Sequence, residues 1–282
     1  MEKRILLPTD FSENALNAIE YALHLYEHKT CVFYILNAFQ YEGYTVNDTM
    51  MQGEPRDPDY EAMKKVSVEG LNELMNLLGK RKKNPKHSYQ TLSIYNSLPY
   101  AVEDTIAKND IDMVIMGAQG FTAAEAFFYG SNTLDVMEYI MEAPVMAIPS
   151  DFKFSRPKEI VLPTKYKVVF KRKELDPMLE IARMHKSMIC ILHIEKEEEL
   201  NKKQEDNKAL LESILKDLKH SYHTLTDVKV HKGISSFIER GKSDMIVFMD
   251  KKTHLFGNKL SKPLAKEIET HAIIPVMAIT IK

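Results

Sequence analysis

The chain repeats itself, and this constrains its architecture more than any other feature of the sequence. Lys3-Arg4-Ile5-Leu6-Leu7-Pro8-Thr9 returns as Lys158-Glu159-Ile160-Val161-Leu162-Pro163-Thr164. Asp112-Met113-Val114-Ile115-Met116 returns as Asp244-Met245-Ile246-Val247-Phe248, and Pro144-Val145-Met146-Ala147-Ile148 returns unchanged as Pro275-Val276-Met277-Ala278-Ile279. The order is kept while the offset shrinks from 155 to 131 residues. One domain type is therefore used twice, the second time in shorter form. A length of 282 residues suits two domains of roughly 150 residues each. The boundary is expected near Ser150–Pro157, giving domains over 1–150 and 151–282.

Within each copy short apolar runs alternate with helical patterns. Ile5–Pro8, Cys31–Leu36, Tyr89–Ile94, Met113–Met116 and Val145–Ile148 read as strands, as do Ile160–Pro163, Met188–Ile194, Tyr222–Val230, Met245–Phe248 and Val276–Ile281. Continuous apolar runs of this length suit strands buried on both faces of a parallel sheet. Ala15, Ile19, Ala22 and Leu23 recur at helical spacing behind Ser12, a natural N-cap. Further helices are predicted over Tyr60–Leu78, Pro99–Ala107 and Asn132–Met141. Alternating β and α elements with short connections imply α/β architecture: two tandem doubly wound, Rossmann-like domains with right-handed crossovers. Phe39–Asp59, with Gly43, Gly53, Pro55 and Pro58, lacks periodicity and reads as a long loop, functional or disordered.

Composition narrows the class of protein. With 44% hydrophobic and 28% charged residues, the chain is ordinary for a globular protein. No apolar run approaches the roughly 20 residues of a membrane helix, and the start of the sequence carries no secretory pattern. Cys31 and Cys190 make no C-x-x-C pair and read as small buried hydrophobes. A cytoplasmic protein without a membrane partner is expected. Residues 1–150 carry a net charge of −9 and residues 151–282 a net of +7. The basic half, including its many lysines, reads as a solvated surface, because it lacks the interleaved aromatics of a single-strand binding face; Lys80–Lys83 with Lys86 reads the same way. A nucleic-acid partner is disfavoured. His220, His223 and His231 sit around one predicted strand, where alternating faces argue against a shared metal.

Chemistry concentrates after the fourth strand of the first copy. Met116-Gly117-Ala118-Gln119-Gly120 is followed, nine residues later, by Gly130-Ser131-Asn132-Thr133. Glycines at a strand's carboxyl end let the backbone turn sharply and approach a ligand. Gly130 and Ser131 open the next helix, whose unpaired N–H groups and positive dipole end attract anions; Ser131 and Thr133 add hydroxyl donors. Pro8-Thr9-Asp10 ends the first strand. In doubly wound sheets ligands bind beyond the carboxyl ends of strands at the point where chain order reverses. If strands one and four are neighbours there, Asp10 and the Gly117–Gly120 loop face one crevice. A carboxylate so placed is suited to ribose hydroxyls or an adenine amine. The competing reading makes these turn glycines and a helix-capping aspartate, without ligand.

The G-x-x-G, nine-residue spacer and G-[ST] pattern, with Pro8-Thr9-Asp10 after the first strand and Pro144-Val145 near the end of the copy, resembles the ATP-binding branch of the universal stress protein family. The likeness covers nearly the whole chain as a tandem pair. It implies a five-stranded parallel sheet of order 3-2-1-4-5 in each domain. It also implies ATP, AMP or ADP, alone or with Mg²⁺, held by Pro8, Thr9 and Asp10, by backbone near Ala38, and by Met116, Gly117 and Gly120. Gly130, Ser131, Asn132 and Thr133 would take the phosphates. Members of the family pair through the last strand, so Val145–Ile148 and Val276–Ile281 are expected to add edge to edge as an intramolecular pseudo-dimer. A further homodimer stays open.

The second copy departs from this pattern. Lys165 stands where Asp10 stood, and Asp250-Lys251-Lys252-Thr253, or a neighbouring register, replaces the glycine loop. Ser261-Lys262 falls roughly where Gly130-Ser131 stood, and Gly257 survives at the wrong spacing. One nucleotide site per chain is therefore expected, in the first copy. The sequence contains no P-loop, kinase signature set or G-x-S-x-G elbow. The segment from Met116 to Thr133 holds no Lys or Arg, the groups on which phosphoryl transfer leans. An adenine-nucleotide-binding regulatory protein of the stress response is the leading expectation. A slow ATP-hydrolysing or phosphoryl- or adenylyl-transferring enzyme, with Glu125 or a basic residue of the second copy contributing, is the first alternative. A structural interaction protein with a vestigial site is the second.

Overall fold

The computed structural model describes residues 2–40, 58–118, 131–195, 199–226, 229–250 and 273–281. Strands β1 (Lys3–Pro8), β2 (Cys31–Phe39), β3 (His87–Tyr95), β4 (Met113–Gly117) and β5 (Val145–Ile148) alternate with helices α1 (Glu13–Leu25), α2 (Pro58–Gly79), α3 (Leu98–Asn109) and α4 (Ser131–Tyr139). The second half supplies β6 (Glu159–Pro163), α5 (Arg172–His185), β7 (Met188–Glu195), α6 (Lys202–Leu215), β8 (His220–Thr226), α7 (Val230–Gly241), β9 (Met245–Asp250) and β10 (Val276–Thr280). Of the loop expected over 39–59, Phe39 completes β2 and Pro58 and Asp59 open α2, while 41–57 lie outside the described residues.

All ten strands among the described residues join one sheet of order β3-β2-β1-β4-β5-β10-β9-β6-β7-β8. Every neighbouring pair is parallel except β5 and β10, which run antiparallel. Their register is symmetric with respect to the repeat: Val145 faces Ala278, Met146 faces Met277, and Ala147 faces Val276. The equivalent methionines thus pair with each other at the centre of the seam.

Strand residues alternate between two helical layers, as the period of two requires. Ile5 and Leu7 join the core under α1, α2, α5 and α6, whereas Leu6 joins the core under α3, α4 and α7. Each core runs across the seam without a break; Ile148 and Ile160 belong to one, Val145 and Val276 to the other. The apolar runs read from the sequence are buried on both faces for this reason.

Local chemistry sets the ends of the elements. Ser12 caps α1, its side chain accepting from the Ala15 N–H at 3.2 Å, and Ala15, Ala18, Ile19, Ala22 and Leu25 form the buried stripe. Asn201 and Gln204 close a reciprocal capping box at the start of α6. One expected element is displaced: the strand read over Tyr222–Val230 ends at Thr226, and Val230 is the first residue of α7. Among the described residues the sole partner of β8 is β7, whose last residue, Glu195, pairs with Thr226. Among them no ladder reaches Val230, whatever its β-branched side chain prefers.

Both cysteines are buried. Burial pushes the Cys31 thiol up to about 12 and the Cys190 thiol to about 11, so both stay protonated and unreactive at neutral pH.

Candidate functional site

The first-copy site is built where chain order reverses. β1 pairs with β2 on one side and β4 on the other, with Ile5 beside Met113 and Leu6 beside Val114. Their carboxyl ends therefore lie side by side, at the switch point where doubly wound sheets receive ligands.

Pro8 is buried beside Leu36 of β2. The backbone then turns through Thr9 and Asp10. Thr9 is 7% exposed; its N–H donates to the Leu36 carbonyl at 2.8 Å, and its Oγ1 accepts from the Phe11 N–H at 3.0 Å. Its own carbonyl accepts from Asn37 Nδ2 at 2.8 Å. Phe11 is held in the left-handed region at φ 65°, which disfavours a residue with a side chain. Its ring lies on Gly70 of α2, where a Cβ would come within 2.6 Å of it. Asp10 is exposed, and its Oδ1 accepts from the Ser12 N–H at 3.1 Å and the Ser12 hydroxyl at 2.6 Å. It buttresses the start of α1 but is not the cap itself. Ala38, half-buried one residue before the end of β2, pairs with Ile94.

On the β4 side, Met116 is buried and pairs with Ala147, and Gly117 pairs with Ile148. The space a Cβ on Gly117 would need is held by the Asn14 carboxamide: Nδ2 would lie 2.6 Å away, Cγ 2.8 Å and Oδ1 3.0 Å. The glycine is thus required by α1 lying close. Thr133, buried in the first turn of α4, donates its hydroxyl to the Gly117 carbonyl at 2.8 Å. The donor that the sequence offered to a phosphate instead fastens α4 to β4. Ser131 opens α4 and Asn132 beside it is exposed. Gly120 and Gly130 lie outside the described residues.

The structure therefore brings Pro8, Thr9, Asp10, Gly117 and the first turn of α4 to one end of the sheet. It also supplies a residue that sequence reasoning missed. Asn14 is the second residue of α1, and both polar atoms of its side chain are buried without a hydrogen-bond partner among the described residues. No motif marks it; only the fold lays it against Gly117. An amide without a partner among the described residues and a helix N-terminus, both beside Gly117, suit a ligand that is anionic and bears hydroxyl groups.

The second half keeps the frame and changes the lining. Thr164 repeats the turn of Thr9, its Oγ1 accepting from the Tyr166 N–H at 3.0 Å, and Tyr166 is again left-handed at φ 53°. Lys165 takes the place of Asp10, and its carbonyl accepts from Gln204 Nε2 at 2.9 Å. The pairing of β9 with β10 settles the register of the lost loop: Phe248 matches Met116 and Met249 matches Gly117, one position earlier than Asp250. A side chain thus stands where the first half has none. Lys251, Lys252, Thr253, Gly257, Ser261 and Lys262 lie outside the described residues, as does the side chain of His231. Among the described residues no group of His, Cys, Asp and Glu is arranged to hold a metal ion, and no helix is long and apolar enough to cross a membrane.

The order of the elements and the reversal of chain order between β1 and β4 define a doubly wound α/β protein of tandem type. The sequence profile of the universal stress protein family matches residues 1–149, and the chain belongs to that family. A universal stress protein from Archaeoglobus fulgidus is similar over 98% of both chains, at 15% identity and a TM-score of 0.68. A putative universal stress protein from Pseudomonas aeruginosa matches 99% of this chain and 93% of its own, at 10% identity and a TM-score of 0.61. The cytoplasmic domain of a prokaryotic cation chloride cotransporter shares the fold at 9% identity, covering 99% and 95% of the two chains with a TM-score of 0.53. Among curated protein sequences none is significantly similar to this chain.

Proposed function

We propose that the first half binds one adenine nucleotide, ATP or its mono- or diphosphate, and that the chain acts as a nucleotide-responsive regulatory protein of the stress response. The observation that carries this reading is the meeting of three groups at one end of the sheet: the Pro8-Thr9-Asp10 turn, Gly117, and the first turn of α4 pinned to Gly117 by Thr133. Asp10 and backbone near Ala38 would face ribose and base. Met116 and Gly117, with Gly120, would line the turn, and Gly130, Ser131, Asn132 and Thr133 would surround the phosphates through the helix N-terminus. Mg²⁺, where it accompanies the nucleotide, is expected to take mostly phosphate oxygens and water, as it commonly does.

Regulation is favoured over catalysis by the lack of Lys or Arg from Met116 to Thr133. Phosphoryl transfer depends on such charges to stabilise its transition state. The second half, with Lys165 for Asp10 and Met249 for Gly117, is read as a structural partner, and the symmetric β5–β10 seam as the joint of a pseudo-dimer within one chain. Heat-denaturing the purified protein and analysing what it releases tests the reading, followed by titration calorimetry with ATP, ADP and AMP. One adenylate site per chain is expected, without turnover reaching about 1 per second in ATP and Mg²⁺. Two sites of similar affinity, or none, would overturn it.

A further inference from the structure

Asn14 carries hydrogen-bonding capacity that the described residues do not use. Its Nδ2 and Oδ1 are both buried and both without a partner among the described residues. Leaving buried polar atoms unpaired costs on the order of 1–3 kcal/mol per group. Neither packing nor capping explains the choice of residue. Leucine has nearly the same branched shape and would fill the space over Gly117 without polar atoms. The cap of α1 is already supplied by Ser12, which accepts from Ala15.

Its position is what gives the unused capacity meaning. The carboxamide lies flat on Gly117, with three of its atoms within 3.0 Å of the place where a Cβ would stand. The carbonyl of the same glycine receives the Thr133 hydroxyl from the first turn of α4. Asn14 on one helical layer and the N-terminus of α4 on the other thus converge on one residue, next to the turn that carries Asp10. The second half shows the pair changing as a unit. Met249 stands in the register of Gly117, and the buried positions Leu175, Met178, Leu179, Ile181 and Ala182 of α5, which answer Ala15, Ala18, Ile19, Tyr21 and Ala22 of α1, put Glu174 in the place of Asn14. Where the glycine is absent, so is the amide.

A carboxamide presents donors on one side and an acceptor on the other. Beside the positive end of α4, the donor side suits a phosphate oxygen; the acceptor side suits a hydroxyl proton. We propose that Asn14 is a ligand-contacting residue that recognises the phosphorylated ribose of a nucleotide, Nδ2 donating to the phosphate nearest the sugar and Oδ1 accepting from a ribose hydroxyl. This rests on the nucleotide reading of the site and adds to it the residue that joins its sugar and phosphate ends.

The test uses the full chain with ATP and adenosine as probes, and compares Asn14→Leu, Asn14→Ala and Asn14→Asp with the parent. In the absence of nucleotide, Asn14→Leu is expected to melt at the parent's temperature or above, because it removes an orphaned amide. Affinity for ATP is expected to fall at least tenfold in Asn14→Leu and Asn14→Ala. In Asn14→Asp, where a carboxylate meets the phosphate, it should fall further for ATP than for adenosine. If the parent binds ATP and all three variants bind it within twofold of the parent, the assignment of Asn14 is overturned while the nucleotide site stands. If both apolar variants melt well below the parent, Asn14 is a structural residue and the proposal also fails. If the parent itself binds neither probe, the nucleotide reading falls and this assignment with it.

Discussion

Asn37 and His193 hold the same register position in the two halves and make the same bond. Asn37 Nδ2 donates to the Thr9 carbonyl at 2.8 Å, and His193 Nδ1 donates to the Thr164 carbonyl at 2.9 Å. Each side chain, one residue past the partner of the strand-ending proline, locks the turn that leaves its strand. The imidazole reaches the carbonyl with one nitrogen and leaves Nε2 buried and unpartnered, with the Tyr166 ring stacked 5.1 Å away. Replacing Asn37 by alanine removes a buried bond and is expected to cost about 1–2 kcal/mol, read as a lower urea midpoint. His193→Asn retains a donor at the same place and should cost less than His193→Ala. Equal losses for the two His193 variants would show that the ring's packing, and not the bond, matters there.

A second expectation concerns the join between the halves. Asn17, buried in α1, donates from Nδ2 to the carbonyls of Pro149 and Phe152, both at 3.2 Å, and accepts from Lys153 Nζ at 3.1 Å. Phe152 and Phe154 then pack on Tyr21, with ring centroids 6.2 and 5.3 Å away. Asn17→Leu keeps the volume but strips the donors from these carbonyls, and a loss of about 1–3 kcal/mol follows. The melting temperature should fall, and protease cleavage within the segment after Pro149 should quicken. Unchanged cleavage would mean that the aromatic contacts alone hold the connection.

The repeat made the paired α/β architecture legible, and the continuous apolar runs located the strands, because residues buried on both faces leave that signature. Ser12 was legible as a cap because hydroxyls before an apolar periodic run do one local job. What could not be read depends on contacts distant in sequence. Val230 continues a β-branched pattern, and only the end of β7 explains why it begins a helix. The sequence shows Thr133 as a hydroxyl at the start of α4 but not the bond that ties it to β4, and Gly117 as a turn glycine but not the side chain of α1 that lies against it. Asn14 carries no motif; its interest arises entirely from lacking a partner among the described residues. The exchange of Gly117 for Met249 likewise needed the strand register, since the sequence repeat alone left it uncertain by one position.

The contact between α1 and α5 makes stability depend on pH. His185 Nε2 donates to the Leu25 carbonyl at 2.9 Å, with Phe154 6.4 Å from its ring. Burial lowers its pKa; the bond to Leu25 opposes this, and the positive charge of Arg156 and of His28 lowers it further. His87 is lowered as well, chiefly by burial. Histidines that resist protonation when folded take up protons on unfolding. Stability is therefore complete above the unfolded value of about 6.5 and declines as pH falls below it, towards the lowered folded values. His185→Gln keeps a donor for Leu25 and does not titrate. Its urea midpoint should fall less steeply than the parent's between about pH 6.5 and 5. An identical slope would remove His185 as a source of the acid sensitivity.

Glu180 of α5 gathers charges from the other half. Lys3 Nζ of β1 lies 2.8 Å from its Oε2 and 3.5 Å from Asp112 Oδ1, and Lys29 Nζ lies 3.4 Å from Glu180 Oε1. Burial disfavours the charge on Lys3, but the bond to Glu180, its attraction and that of Asp112 together outweigh it and raise the pKa above 10.5. A lysine raised in this way contributes stability in full below its unfolded value of about 10.4, and that contribution is lost as pH climbs through the higher folded value. Glu180→Gln keeps the size of the side chain and removes the charge that two lysines share. A loss of about 1 kcal/mol is expected, the upper end of the range for partly exposed pairs. It should shrink in roughly 1 M salt, where screening acts within about 3 Å, and the variant should lose less of its remaining stability above pH 10.4 than the parent does. A penalty that ignores both salt and alkali would mean that Glu180 acts through its packing between the halves, and that the charge gathered around it contributes nothing to their docking.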